Sequence, residues 1–180
     1  VCSSDLVSAS LINSDDELLL VSTKGMSLRF TADDESLRSM GRSTSGVIGM
    51  KFRAQDSLLT MARVNSELAA NSFVFTATDA GYGKKTPLEE YRLQGRGGIG
   101  IKAAKIDEDS RGSLVSALVL QNEDEVLAIT SAGTVMRTPA AEVRQTGRDS
   151  MGVRLVNLDE GAVLLSVTKN SEDEIPAKDV

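Results

Sequence analysis

LVSASLINSDDELLLVSTKG, Leu6 to Gly25, and LVSALVLQNEDEVLAITSAG, Leu114 to Gly133, are one pattern written twice, 108 residues apart. Eight of the twenty positions are identical, and most others exchange one aliphatic, acidic or hydroxyl residue for another. Half that offset falls at FVFTATDAGYGKK, Phe73 to Lys85, which supplies a middle copy. Self-similarity at such a period marks an array of supersecondary units, each burying its apolar face against the next.

Three anchors recur in register. A turn glycine stands at Gly25, Gly81 and Gly133, and a cation follows four residues later at Arg29, Lys85 and Arg137. Then comes Gly-Arg-x-x-x-Gly with a β-branched residue after it: Gly41-Arg42 to Gly46-Val47, Gly95-Arg96 to Gly100-Ile101, and Gly147-Arg148 to Gly152-Val153. The modules span about 16–65, 72–120 and 124–170. Within each, DELLLVST, SFVFTAT and EVLAITS read as strands, aliphatic and β-branched between acidic or glycine turns. GVIGMKF, GIGIKAA and GVRLVNL follow the closing glycines as further strands, and SLLTMARV, SLVSALVL and AVLLSVTK complete the units. PLEEYRL and PAAEVRQ have room for a helical turn but not for the crossover helix of a parallel sheet. The expected fold is therefore all-β, a propeller-like array of about three four-stranded blades. No Trp is present for a WD repeat, and Gly97-Gly98 occurs only once where kelch blades repeat such a pair.

LQGRGGIGI, Leu93 to Ile101, also contains a literal G-x-G-x-x-G. A dinucleotide loop needs a buried strand before it and a helix after it. Here a charged, proline-containing segment precedes it and strand-sized pieces follow. GRSTSG and GRDSMG, the sister loops, lack the middle glycine. What all three keep is Gly, Arg and a closing Gly. Glycine lets backbone N–H groups face an anion closely, and a guanidinium suits phosphate. One such device per blade suggests a bent polyanion followed along a rim, with Arg42, Arg96 and Arg148 on it and Lys84, Lys85, Arg92, Lys102, Arg53, Arg144 and Arg154 in support. The turn glycines themselves need only the bend.

Composition bounds the chemistry. The absence of His removes Ser-His and Cys-His nucleophile pairs and most zinc sites. Acid runs such as Asp15-Asp16-Glu17 and Glu123-Asp124-Glu125 read as solvated turns. The lone cysteine, Cys2, forms no internal disulfide, and no apolar run approaches a membrane span. A cytoplasmic protein is expected. The formal charge is −6, to which Ser171 to Val180, expected to be a disordered acidic tail, contributes half. A mildly acidic body still accommodates a basic face, because a polyanion senses local potential.

QGRGGIG, Gln94 to Gly100, with GYGKKTPLEEYRLQGRGG before it and GVRLVNLDEGAVLLSV near the end, resembles the DNA gyrase A C-terminal domain family over Leu6 to Asn170. That resemblance implies a β-pinwheel whose neighbouring blades exchange strands and whose basic perimeter wraps duplex DNA chirally without sequence preference. The three modules correspond to the last three blades, entered through the closing strand of an earlier module. Val1 to Asp5 match neither the repeat nor the family. Against the family box Q-R-R-G-G-K-G, Gln94, Arg96, Gly97, Gly98 and Gly100 match, while Gly95 and Ile99 replace cations. The implied DNA-contacting set is those five with Lys102, Lys84, Lys85, Arg29, Arg42, Arg137, Arg148 and Arg154. No catalytic residue or cofactor is implied in this segment, and Tyr82 and Tyr91 are not the cleaving tyrosine. The whole enzyme, a type II topoisomerase, would use ATP and magnesium elsewhere. It would pair with the gyrase B protein through its N-terminal part, with no membrane partner, in the bacterial cytoplasm at the nucleoid. The alternatives are the equivalent domain of topoisomerase IV and a propeller that recognises protein.

Overall fold

The computed structural model describes residues 6–170. The expected leader, Val1 to Asp5, and the expected acidic tail, Ser171 to Val180, lie outside them. Module 1 contributes β1 (Glu17–Ser22), β2 (Met26–Thr31) and β3 (Leu58–Val64). Module 2 contributes β4 (Phe73–Thr78), β5 (Tyr82–Pro87), β6 (Ile101–Lys102) and β7 (Leu114–Leu120). β8 (Glu125–Thr130), β9 (Val135–Pro139), β10 (Val153–Arg154) and β11 (Leu164–Lys169) belong to module 3. The fold is all-β, as expected. Each turn glycine closes the hairpin of its module with positive φ: 75° at Gly25, 79° at Gly81 and 80° at Gly133. This region is open to glycine without the clash a Cβ brings.

The sheets do not respect module boundaries. Blade 1 has the order β3-β1-β2-β6, so its last strand comes from module 2. Blade 2 has the order β10-β5-β4-β7, with its first-named strand taken from module 3. Blade 3 holds β11-β8-β9. The exchange strands are short but fixed: Met26 pairs with Lys102 and Ser27 with Ile101, while Gly83 pairs with Val153 and Tyr82 with Arg154. The segment in front of each is tied to the same strand, Leu93 bridging Arg29 and Gln145 bridging Lys85. The direction of exchange is always from a module to the one before it. For that reason GVIGMKF, expected as a strand, forms none: its counterpart role is to join a preceding sheet, and module 1 is the first of these three.

Core residues explain the stacking. Alternate residues of β1 face opposite sides, yet both sets are buried: Leu18 and Leu20 with Leu28 and Phe30, and Leu19 and Val21 with Val64, Val74, Leu88 and Tyr91. The second set fills the gap between blades 1 and 2. Phe75 and Ala77 of β4 meet Val126, Ala128, Val156 and Leu164 to fill the gap between blades 2 and 3. Each large aliphatic or aromatic side chain in these sets contributes about 1.5–3 kcal/mol by leaving water. β7 packs beside both β3 and β11, so these three strands form the inner edge of the array. Sheet order then puts β6 and β10 on the outer edge. PLEEYRL and PAAEVRQ each supply one 3₁₀ turn, Leu88–Glu90 and Ala140–Glu142. Among the described residues no helix is long and apolar enough to cross a membrane.

Candidate nucleic-acid interface

Arg29, Lys85 and Arg137 share one position in the repeat, four residues beyond the turn glycine. The Arg29 guanidinium donates through Nη1 to the carbonyls of Leu88 at 3.0 Å and Tyr91 at 2.9 Å, and through Nε to Glu17. Lys85 Nζ donates to the Ala140 carbonyl at 2.9 Å and to Asn122 Oδ1 at 2.7 Å, and sits 4.9 Å from the centre of the Phe73 ring. In both cases the acceptor includes the 3₁₀ turn of the next module. The cation therefore staples one blade to the next, adding a charged donor to turn carbonyls of which Leu88 and Ala140 also accept from the backbone N–H groups of Tyr91 and Val143. Arg29 and Lys85, expected on the rim, are committed to this contact, and Lys85 is buried. Arg137 is exposed and paired with Glu125.

Lys84 is a further correction. It is 1% exposed, and its Nζ donates to the carbonyls of Gly147 at 2.9 Å and of Arg148. Burial pushes its pKa down to about 8, with Glu90 and Asp149 opposing and Arg148 assisting. Buried beneath the Gly147–Gly152 loop, it organises that loop and is withdrawn from solvent phosphate.

The Gly-Arg loops show a second repeated contact. Arg96 donates through Nε to the Ser36 carbonyl at 2.6 Å and through Nη1 to the Ile48 carbonyl at 3.3 Å. Arg148 donates through Nη1 to the Lys102 carbonyl at 3.0 Å, and its backbone N–H reaches Glu90 at 3.2 Å. Ile48 and Lys102 each stand two residues after a closing glycine, so the arginine of one module grips the same carbonyl of the module before it. A bend does not need a guanidinium, but this strand exchange uses one. Gly97 N–H donates to the Gly49 carbonyl at 2.6 Å, and the Gly98 carbonyl accepts from Lys51 N–H at 2.8 Å. The Gly97 N–H expected to face an anion thus serves the inter-module join. A Cβ on Gly100 would run into the Ser27 carbonyl, and one on Gly152 would come within 2.6 Å of the Gly83 carbonyl. The closing glycine lets the exchanged strand come close. Gln94 N–H donates to the Arg29 carbonyl at 2.8 Å, while its buried Nε2 has no partner.

What remains open to solvent is a narrower set. Of the expected contacting cations, Arg42, Arg96, Lys102, Arg137 and Arg154 are exposed and Arg148 is half-buried; the supporting Arg53, Arg92 and Arg144 are exposed as well. Lys102 and Arg154 occupy the same position on the two exchanged strands, so blades 1 and 2 each carry a cation from the next module on the outer edge. Arg154 Nη2 donates to the Tyr82 hydroxyl at 2.9 Å, and the Arg111 guanidinium lies 4.1 Å from the centre of the Tyr82 ring. Tyr91 is fully buried, its hydroxyl donating to the Ala103 carbonyl at 3.3 Å, and burial drives its pKa far up. Sequence reasoning missed Lys24, Lys105 and Arg111, which gain significance only through neighbours distant in the chain. Among the described residues no cluster of metal-ligating side chains occurs.

Comparison with known proteins agrees with this architecture. The family model described as DNA gyrase C-terminal domain, beta-propeller, matches residues 16–65, 72–121 and 124–171. The DNA gyrase A protein of Streptomyces coelicolor is 54% identical over 176 residues, covering 98% of the chain and 20% of that protein. That of Mycobacterium leprae is 50% identical over 169 residues, covering 94% of the chain and 13% of its own length. The chain thus spans a fifth or less of these two relatives. A solved DNA gyrase A C-terminal domain superposes with a TM-score of 0.78 at 28% identity, covering 88% of the chain and 52% of that structure. A topoisomerase IV C-terminal domain superposes at 0.77 with 23% identity, over 87% of the chain and 47% of that structure, a likeness of fold. With its three repeated matches and exchanged strands, the chain belongs to the DNA gyrase C-terminal domain family.

Proposed function

We propose that this chain binds duplex DNA without sequence preference and curves it round the outer edge of its blades, as the C-terminal part of a DNA gyrase A protein. In that role it contributes to ATP-dependent negative supercoiling in the bacterial cytoplasm, on the chromosome. ATP and magnesium act elsewhere in the enzyme, which joins the A protein to gyrase B. The observation that carries the reading is the pair of exposed cations, Lys102 and Arg154, set at one register on successive outer edges by strand exchange. Cations at blade spacing contact phosphates, which position a duplex but convey little sequence information. Bending a short site costs about 1–6 kcal/mol, so contacts from several blades must act together.

Relaxing a plasmid with a topoisomerase in the presence of the complete A protein tests this reading. A linking-number shift of one hand is expected, reduced when Lys102 and Arg154 are both changed to Gln. Absence of any shift from the unchanged protein would contradict it.

A further inference from the structure

Where β6 joins blade 1, a cleft of about 480 Å³ opens between the first two modules. Three pieces of chain bring cations to it: the β1–β2 turn supplies Lys24, the turn before β3 supplies Arg53, and the segment around β6 supplies Lys102 and Lys105. All four are exposed. One carboxylate lines the cleft, Asp56, and its Oδ1 accepts from the Thr23 hydroxyl at 3.0 Å and from the N–H groups of Lys24 at 2.9 Å and Ser57 at 3.0 Å. That carboxylate holds its own turn together. Nearby, Asp149 lies 3.7 Å from Lys102 across a largely solvated gap, and Asp107, beside Lys105, caps the helical turn Glu108–Arg111 through Ser110 N–H.

The fold does not require this clustering. At the same repeat positions blade 2 has Ala80, Asp107, Arg154 and Asn157, a set with no net charge. Four cations converging at one boundary repel one another and raise the potential of the cleft, which an anion would offset. The cleft is continuous with the outer edge through Lys102. We infer that it is a phosphate seat, taking a phosphodiester group of duplex DNA as the duplex crosses from blade 1 to blade 2; the inference rests on the duplex-binding reading above. The seat exists only when β6 has been exchanged into blade 1, so it couples the join between blades to the DNA path.

The test uses the complete A protein with Lys24→Gln, Arg53→Gln and Lys105→Gln combined, leaving the edge strand intact. Affinity for a labelled duplex is expected to fall about tenfold at moderate salt, and the slope of log K against log salt to shrink by about 1 to 2. A thermal melt superimposing on that of the unchanged protein shows that the fold is kept, and the single change Arg53→Gln gives a smaller loss in the same direction. If the unchanged protein fails to bind duplex, the underlying reading falls. If it binds, and the triple variant keeps both affinity and slope, the seat alone is overturned. Calorimetric titration with inorganic phosphate separates the sources: saturable binding lost in the triple variant, with duplex binding untouched, assigns the seat to a free anion and overturns the DNA assignment.

Discussion

A methyl group at Gly100 has nowhere to go, because the backbone of Ser27 occupies its place and φ is +81°. Gly46 holds the equivalent position in module 1 with φ of +79° but has nothing within 4 Å. Gly46→Ala is therefore expected to cost about 1–2 kcal/mol, the penalty of left-handed backbone alone. Gly100→Ala should cost clearly more, since β6 must leave β2, and thermal melts of the two variants measure the difference. Lys84 allows a prediction in pH. Its pKa is lowered from 10.5 to about 8 by burial, so the folded chain sheds this proton first as pH rises. Between those values the unfolded state binds more protons, and stability therefore rises with pH across that window. Lys84→Met should remove the rise, as seen in melts at a series of pH values, because sister modules hold Leu28 and Met136 at this register. That apolar register is the one sign in the sequence that Lys84 points inward. A lysine by itself carries no mark of burial, and next to Lys85 it looks like half of a basic pair.

The exchanged strands are the elements that turn separate modules into one body. Hydrogen exchange should find the Ala103 amide protected, since it donates to the Gly25 carbonyl at 2.8 Å. The amides of Val47 and Ile48, which enter no sheet, should exchange at rates near those of an unstructured chain. Equal rates at the two sites would remove the account of directional exchange. The long strands, their turns and the three-fold repeat are legible in the sequence because they are local: aliphatic runs, acidic bounds and a turn glycine all lie within a few positions. Strand exchange is not legible from the residues themselves, since β6 has two residues and pairs with Met26 and Ser27, some 74 to 76 positions away. The acceptors of Arg29, Arg96 and Arg148 include backbone carbonyls, which any residue provides. Repetition of an arginine can thus be seen in the sequence, while its structural grip cannot. Part of the expected DNA-contacting set, Arg29, Lys84 and Lys85, lies inside for that reason.

Across the whole molecule, β3, β7 and β11 pack side by side along the inner edge, and the exchanged strands carry the exposed Lys102 and Arg154 along the outer one. A formal charge of −6 is compatible with this arrangement because the acids hold turns, as Asp56 does, or pair with structural cations, as Glu17 does with Arg29. In the proposed role this edge follows phosphates. That role is tested most directly by the salt dependence of duplex binding to the complete A protein, restricted to these blades by neutralising substitutions elsewhere on its rim. With roughly three to six phosphate contacts, log K should fall against log salt with a slope of about −3 to −5, equally for unrelated sequences. A slope near zero, or one that changes with base sequence, would show that the edge does not follow phosphates.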